Sequence, residues 1–253
     1  MNKRSTHELS GFLWSTVNST TITGPNGSQK WLSCGLNTTG GWNPPRFTAK
    51  DVITKDLETA VKMPNSPFVR CQPYFPYFYK YGEMYGVPPI LIASFANQES
   101  GCNPSTNGGA GEIGMMQITP DKCGGAPFGN CFDVDYNIGT ATAYFANQLK
   151  ANNGSLLHAI GAYNGWYPTM TVQAATAAAN TPCCRCQQNL DYIHQMCNGW
   201  IQGIDVYATG MGSYFNLAVC DRPTTTPAVP TPTPTPAPTP TPTPTPAPSP
   251  TRR

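Results

Sequence analysis

Residues 88–117 read PPILIASFANQESGCNPSTNGGAGEIGMMQ. The apolar run Ile90, Leu91, Ile92, Ala93, Phe95 and Ala96 follows two prolines. Prolines suit the first turn of a helix, because the N–H they lack would have no partner there. No face of the run is clearly polar, so the predicted helix is buried. Gly101 and then Asn103-Pro104 stop it. Glu99 therefore falls at the C-terminal end of a buried helix. The aligned peptide dipoles place about −0.5 of an elementary charge there, and apolar walls strip solvent from the carboxylate. Both effects disfavour the charged form and raise the pKa. A carboxyl that stays protonated near neutral pH can give a proton to a leaving oxygen, as glycosidic cleavage requires. The plainer reading is a solvated glutamate at a helix end, and the surrounding sequence decides between the two.

Upstream, residues 74–85 carry seven aromatic side chains and predict a helix stopped by Gly86 and Pro88. Such a stripe reads first as core, because aromatics dominate buried area. Residues 49–62 show apolar positions at helical spacing, with Asp51 in the first turn. Residues 1–47, rich in Ser, Thr, Asn and Gly, read as short strands or ordered loops tied down by Cys34. Downstream, residues 107–111 form a turn-rich loop, and 113–118 a short strand or helix entry. Helices are predicted over 136–151, over 156–163 behind a Ser155 cap, over 172–179, and over 187–201 clamped by Cys186 and Cys197. The pattern is mainly α with a small hairpin region.

The chain has 253 residues, and 13 of its 27 prolines fall in 222–253. That Thr-Pro segment cannot bury a core and reads as a disordered, extended stalk whose threonines suit O-glycosylation. The whole chain carries 15 basic and 13 acidic side chains. Removing Arg222, Arg252 and Arg253 leaves 12 against 13, a net −1 over 1–221. That balance argues against a nucleic-acid partner, which would favour a basic face. No run approaches the length of a transmembrane helix.

Ten cysteines spread over the globular part, and N-x-S/T sequons stand at Asn18, Asn26, Asn37 and Asn153. With the Thr-Pro segment they point to an oxidising, secreted setting, although no signal peptide is visible at the start. Cys183, Cys184, Cys186, His194 and Cys197 are the candidates for a zinc site. Their crowding fits no repeated C-x₂₋₄-C pair, so disulfides are expected and no metal. His158 and His194 read as surface or core side chains rather than ligands.

Three motifs stand in order: Gln98-Glu99-Ser100, Gly114-Met115-Met116-Gln117 and Ala162-Tyr163-Asn164. With the segment Asp133-Val134-Asp135-Tyr136-Asn137-Ile138 they resemble the soluble lytic transglycosylase (SLT) domain over roughly residues 74–166. This is the goose-lysozyme-like group of glycoside hydrolase family 23. The resemblance implies a lysozyme-like α(+β) fold, disulfide-rich here, with a long cleft and no cofactor. It implies that Glu99 protonates the bridging oxygen of a β-1,4 bond to an N-acetylated sugar, then acts as base. Tyr163 would place its hydroxyl near Glu99, and Gln117 would bond the sugar's N-acetyl region. Met116 would line the floor or simply pack. Asn164 would hold the Tyr163 loop more than touch sugar, and Ser100 would cap the helix or bond substrate. Trp166 would serve as a sugar platform or be buried, and Tyr167 likewise.

Two departures bear on substrate. Asn107-Gly108-Gly109 stands where many members carry a serine, and Thr119 where many carry methionine before the proline. Peptidoglycan and chitin both stay open as the polysaccharide partner. A transglycosylase needs no second carboxylate, whereas an inverting hydrolase needs a base about 6.5–9.5 Å from the acid. Candidates are Glu112, Asp121, Asp133 and Asp135, with Glu112 foremost and Asp133 and Asp135 better read as helix caps. The expected organisation is an N-terminal extension over 1–66, a catalytic domain over 67–221 and the tail over 222–253, acting as a monomer. A non-catalytic wall-binding protein on the same fold is the rival from another class.

Overall fold

The computed structural model describes residues 15–221; the Thr-Pro segment 222–253 and residues 1–14 lie outside the described residues. Residues 15–221 belong to one compact unit. Its described part is mainly helical. Helix α1 (Gln29–Leu32) is capped by Ser28 and α2 (Leu57–Val61) by Asp56. A 3₁₀ turn, Val69–Tyr74, leads into α3 (Phe75–Tyr85), followed by α4 (Pro89–Ser100). Then come α5 (Val134–Ala151), α6 (Leu156–Tyr163), α7 (Val172–Ala175) and α8 (Tyr192–His194). Helix α8 runs on as a π turn, Gln195–Gly199, and a 3₁₀ turn, Trp200–Gln202.

Helix α4 is the axis of the fold. Ile90 through Asn97 are all buried. Burying its Ile, Leu and Phe side chains stabilises the unit by about 1.5–3 kcal/mol each. It packs on α3, on α2 and on Trp200–Gln202, while α5 packs on α3 and α6. Gly101 ends α4 in the left-handed region at φ 63°, with its N–H on the carbonyls of Ala96 and Asn97. Glycine adopts this conformation without strain. The aromatic stripe over 74–85 divides by face. Phe75, Phe78 and Tyr81 are core, while Tyr79 and Tyr85 are exposed.

The expected hairpin region reduces to two isolated antiparallel bridges, Asn107↔Ile113 and Ile113↔Ile118. Other boundaries move where tertiary partners capture the backbone. The helix expected over 49–62 survives only as α2. Asn26 Oδ1 accepts from Ile53 N at 2.7 Å and its Nδ2 donates to Ile53 O at 2.8 Å, while Lys55 N donates to Ile201 O. Those groups are lost to any helix through residue 53. The helix over 172–179 stops at Ala175, whose carbonyl takes Gln188 N. The helix over 187–201 starts only at Tyr192, because Asn164 and Asn216 side chains accept the N–H groups of Asn189 and Leu190.

Four disulfides form: Cys71–Cys102, Cys123–Cys131, Cys183–Cys186 and Cys184–Cys220. Cys34 and Cys197 carry free thiols, so neither the tie at Cys34 nor the clamp between Cys186 and Cys197 exists. Residues 15–66 are held by hydrogen bonds and rings instead. Trp42 N donates to Met170 O at 2.7 Å, and the Trp42 ring meets Trp166 edge-on at 5.0 Å. No helix among the described residues is long and apolar enough to cross a membrane.

Candidate active site

Glu99 lies in the last turn of α4, where the buried run meets a cleft of about 870 Å³. Glu112, Gln117, Tyr163, Asn164 and Tyr192 line the same cleft. The glutamate's pKa is raised from 4.5 to about 7. Loss of solvation by burial is the main cause, opposed by a hydrogen bond from Tyr192 and reinforced by the charge of Glu112. The Tyr192 hydroxyl donates to Glu99 Oε1 at 2.5 Å. That bond leaves Oε2 to carry the acid proton. The local sequence explains the environment: an apolar helix ends where a glycine turns the chain away.

The loop after α4 is held by side chains. Ser100 Oγ donates to Met115 O at 2.8 Å and accepts from Asn103 N, so it ties the helix end to the Gly-Met-Met-Gln loop. Asn137, fully buried, accepts from Met116 N at 2.8 Å and donates to the carbonyls of Ile113 and Cys131. Gln117 Nε2 donates to Gly114 O at 2.7 Å and Thr106 O at 3.1 Å. Gly108 sits so close that an added Cβ would stand 2.2 Å from Glu112 Oε2 and 2.5 Å from Gln117 Oε1. A side chain at residue 108 would displace the ends of Glu112 and Gln117, so the glycine lets both lie against the loop where they now stand.

The expected sugar contacts separate accordingly. Glu99, Glu112, Gln117, Tyr163 and Asn164 come together at the cleft. The Tyr163 hydroxyl donates to Met116 O at 2.8 Å rather than to Glu99, and its ring stacks on Phe95 at 4.2 Å. Burial and the nearby Glu99 charge push its pKa well above the ordinary 10. Met116 is fully buried and packs; its carbonyl, not its side chain, serves the site. Asn164 Oδ1 accepts from Asn189 N at 2.8 Å, holding one wall. Trp166 is 3% exposed and lies within the core, because its indole N–H finds Asn189 O there. It is no platform, whereas Tyr167 is exposed.

Among the candidate second carboxylates, Glu112 alone faces the cleft; its Oε2 accepts from Ala110 N at 3.0 Å. Asp133 caps α5 through Tyr136 N. Asp135 pairs with Lys80 and accepts from Tyr81, and Asp121 pairs with Lys122. The zinc alternative dissolves for Cys183, Cys184 and Cys186, which are disulfide-bonded. His194 is buried and neutral, its pKa lowered to about 4 by burial. It bridges Thr21 O and Asn198 Nδ2. His158, beside Ser155 Oγ and the Trp42 ring, is also shifted down by burial.

Sequence reasoning did not single out Tyr192, Asp191 or Tyr207. Asp191 is buried at the cleft and accepts from Gln29 Nε2 and from the N–H groups of Ser213, Tyr214 and Phe215. That anchor fixes the strand of chain forming one cleft wall. The wall ends in the 3₁₀ turn Asn216–Asp221, pinned by Cys184–Cys220 and by the Arg185–Asp221 ion pair. The acidic residue inside the apolar segment Leu190-Asp191-Tyr192-Ile193 was the available signal.

Comparison with known proteins bears on the same region. Residues 76–179 match the family described as Transglycosylase SLT domain. A protein of Enterobacteria phage PRD1 named "Transglycosylase" is 32% identical over 81 residues, covering 32% of this chain and 30% of its own length. The 70-kDa soluble lytic transglycosylase, solved in complex with bulgecin A, is 25% identical over 37% of this chain and 17% of its own, with a TM-score of 0.35. This chain therefore spans under a third of either relative. Residues 76–179 of this chain thus resemble a transglycosylase SLT domain, and the described part of the chain is mainly helical.

Proposed function

We propose that the protein cleaves β-1,4 bonds of peptidoglycan as a lytic transglycosylase, with Glu99 as general acid and then base. The observation that carries this reading is a cleft carboxyl with a pKa of about 7, bonded on one oxygen by Tyr192 and free on the other. The match of residues 76–179 to the SLT family supports it.

The Glu99 proton passes to the bridging oxygen as the bond from that oxygen to C1 breaks. Positive charge develops on C1 and the ring oxygen. The C6 hydroxyl of the same sugar attacks C1, and its proton goes to the Glu99 carboxylate. The products are a 1,6-anhydro end and a free hydroxyl on the departing sugar; no water is consumed and the acid is restored. Tyr163 and Gln117 are assigned to steady the sugar at C1 and at its N-acetyl group. Ser100, Met116, Asn164 and Trp166 are assigned to hold the walls. No metal or cofactor enters this scheme, the protein acts as a monomer, and its cysteine pairing suits a secreted, wall-directed role.

Glu112 favours a second reading. Its carboxylate lines the cleft and adds to the rise in the Glu99 pKa, so the same fold read as a hydrolase would use Glu112 as the base, on peptidoglycan or chitin. Mass spectrometry of soluble products separates the readings, using wild type and Glu99→Gln on peptidoglycan and on chitin oligomers. Anhydro-ended fragments from peptidoglycan, lost in the variant, are the expected result. Reducing-ended fragments would establish the hydrolase. Retained binding with no product from either polymer would leave a wall-binding protein.

A further inference from the structure

Two cavities meet at Glu99. The main cleft of about 870 Å³ lies on one side, and a smaller cavity of about 280 Å³ lies on the other, bounded by Arg70, Asn97, Ser100 and Asp205. Gln98, Glu99 and Tyr207 are the lining residues that both have in common. These three residues therefore form the partition.

The partition is built. Gln98 Nε2 donates to the Tyr207 hydroxyl at 2.8 Å, and Gln98 Oε1 accepts from Trp200 Nε1 at 2.5 Å. Both ends of the amide are engaged, so Gln98 cannot turn away without losing two bonds. The Tyr207 ring meets the buried Trp200 edge-on at 5.6 Å. Asp205 Oδ1 accepts from the N–H groups of Tyr207 and Ala208, which fixes the turn that presents the ring. Tyr207 nevertheless stands 61% exposed. An exposed aromatic held at its hydroxyl and its ring edge, beside the catalytic carboxyl, is positioned rather than merely packed. It also lies beyond residues 76–179, so it is an addition to the SLT segment.

We propose that Tyr207, hydrogen-bonded to Gln98, is a bar across the groove at Glu99 that confines cleavage to the ends of glycan strands. The proposal rests on the glycan-cleaving function given above. A strand running through both cavities would have to pass between Tyr207 and Gln98. With the bar closed, a strand lies in the main cleft and its end abuts Tyr207, so the bond presented to Glu99 lies a fixed, short distance from that end. Each turnover then releases a short fragment of uniform size. Removing the bar joins the two cavities and admits internal bonds.

The test is the size distribution of soluble products from long peptidoglycan glycan strands, sampled from the first minutes. Wild type, Tyr207→Phe and Tyr207→Ala are compared, with Glu99→Gln as the inactive control. Wild type is expected to release one short species from the outset. Tyr207→Phe keeps the ring but loses the bond to Gln98, and is expected to raise the share of internal cleavage about tenfold. Tyr207→Ala is expected to raise it further, with a melting curve confirming that the exposed substitution leaves the fold intact. A mixture of fragment lengths from wild type, unchanged in both variants, overturns the bar while leaving the activity standing. No product from wild type overturns the activity and the bar with it.

Discussion

The hydroxyl of Tyr192 donates to Glu99 Oε1 at 2.5 Å, joining residues 93 positions apart in the chain. The bond opposes burial. Desolvation drives the Glu99 pKa upward, while a donor on the carboxylate favours the charged form and pulls it down. The balance falls near 7, where an acid that must become a base within one turnover is most effective.

Replacing Tyr192 by Phe removes the downward pull and leaves the burial. The Glu99 pKa then rises further. If Glu99 must be protonated to start the reaction, the alkaline fall in kcat/KM lies near pH 7 in wild type and moves up by about one pH unit in the variant. The maximal rate falls about tenfold, because the carboxylate formed after proton donation loses its donor. A pH–rate profile on peptidoglycan checks both. An alkaline limb that stays in place would sever Tyr192 from the acid.

Stability should show two opposed titrations. The Glu99 pKa is raised, from 4.5 unfolded to about 7 folded, so ionisation penalises the fold as pH rises from 4.5 through 7. The His194 pKa is lowered, from 6.5 unfolded to about 4 folded, so protonation penalises the fold as pH falls from 6.5 through 4. Each penalty is about 3–4 kcal/mol at full extent. In wild type they offset between pH 4.5 and 6.5. Glu99→Gln removes the first, so its gain over wild type in urea unfolding appears at pH 8 and vanishes at pH 4. Turnover in the same variant falls by about 10²–10⁴-fold. Equal gains at pH 4 and pH 8 would mean that Glu99 is not desolvated in the fold.

Glu99 was legible because everything that perturbs it, except Tyr192 and Glu112, is local: an apolar run, a helix end and a terminating glycine. Gln117 and Tyr163 were legible as motif members, but their bonding partners were not. Both spend their donors on backbone carbonyls of the loop, which no spacing announces. Tyr192 had no signal beyond the acidic Asp191 beside it in an apolar segment. The helix expected over 49–62 failed because Asn26 reaches across 27 residues to both backbone groups of Ile53, and side-chain capture of this kind overrides propensity. From sequence Trp166 reads equally as a sugar platform or a buried residue; in the fold an internal acceptor, Asn189 O, takes its indole N–H and the ring is core. The even cysteine number suggested full pairing, yet Cys34 and Cys197 stay free, because count constrains pairing only where geometry brings thiols together.

The Cys184–Cys220 disulfide closes a loop of 36 residues around the cleft wall. In the chain-entropy view it stabilises the unit by about 3–4 kcal/mol. It also holds Leu217, Ala218 and Asp221 against the cleft. Replacing both cysteines by serine is expected to lower Tm by about 6–15 °C for a domain of this size. If the wall contacts sugar as proposed, KM for glycan rises more than kcat falls, since these residues do not bond to Glu99. An unchanged KM in a variant with the expected loss of Tm would mean that the wall is structural only.

Asn26 satisfies the N-x-S/T rule but is 2% exposed. Its side chain donates to Ile53 O at 2.8 Å and Cys197 O at 2.6 Å and accepts from Ile53 N, while its own N–H donates to Asn198 Oδ1. A glycan on Nδ2 has no room, and a chain modified there during synthesis could not close this network. Asn18, Asn37 and Asn153 are exposed and raise no such obstacle. Folded protein secreted from a glycosylating host should therefore carry no sugar at Asn26, whatever the occupancy of the other three sites. Glycopeptide mapping checks this, and substantial occupancy at Asn26 in active protein would contradict the arrangement. The same network predicts the effect of Asn26→Asp. The carboxylate keeps the size but has no donor, so two buried carbonyls face an oxygen. Losing two buried bonds costs about 2–4 kcal/mol, or a Tm lower by about 5–15 °C. Asp at Asn18 should leave Tm within about 1 °C of wild type, because exposed substitutions away from such networks change stability little.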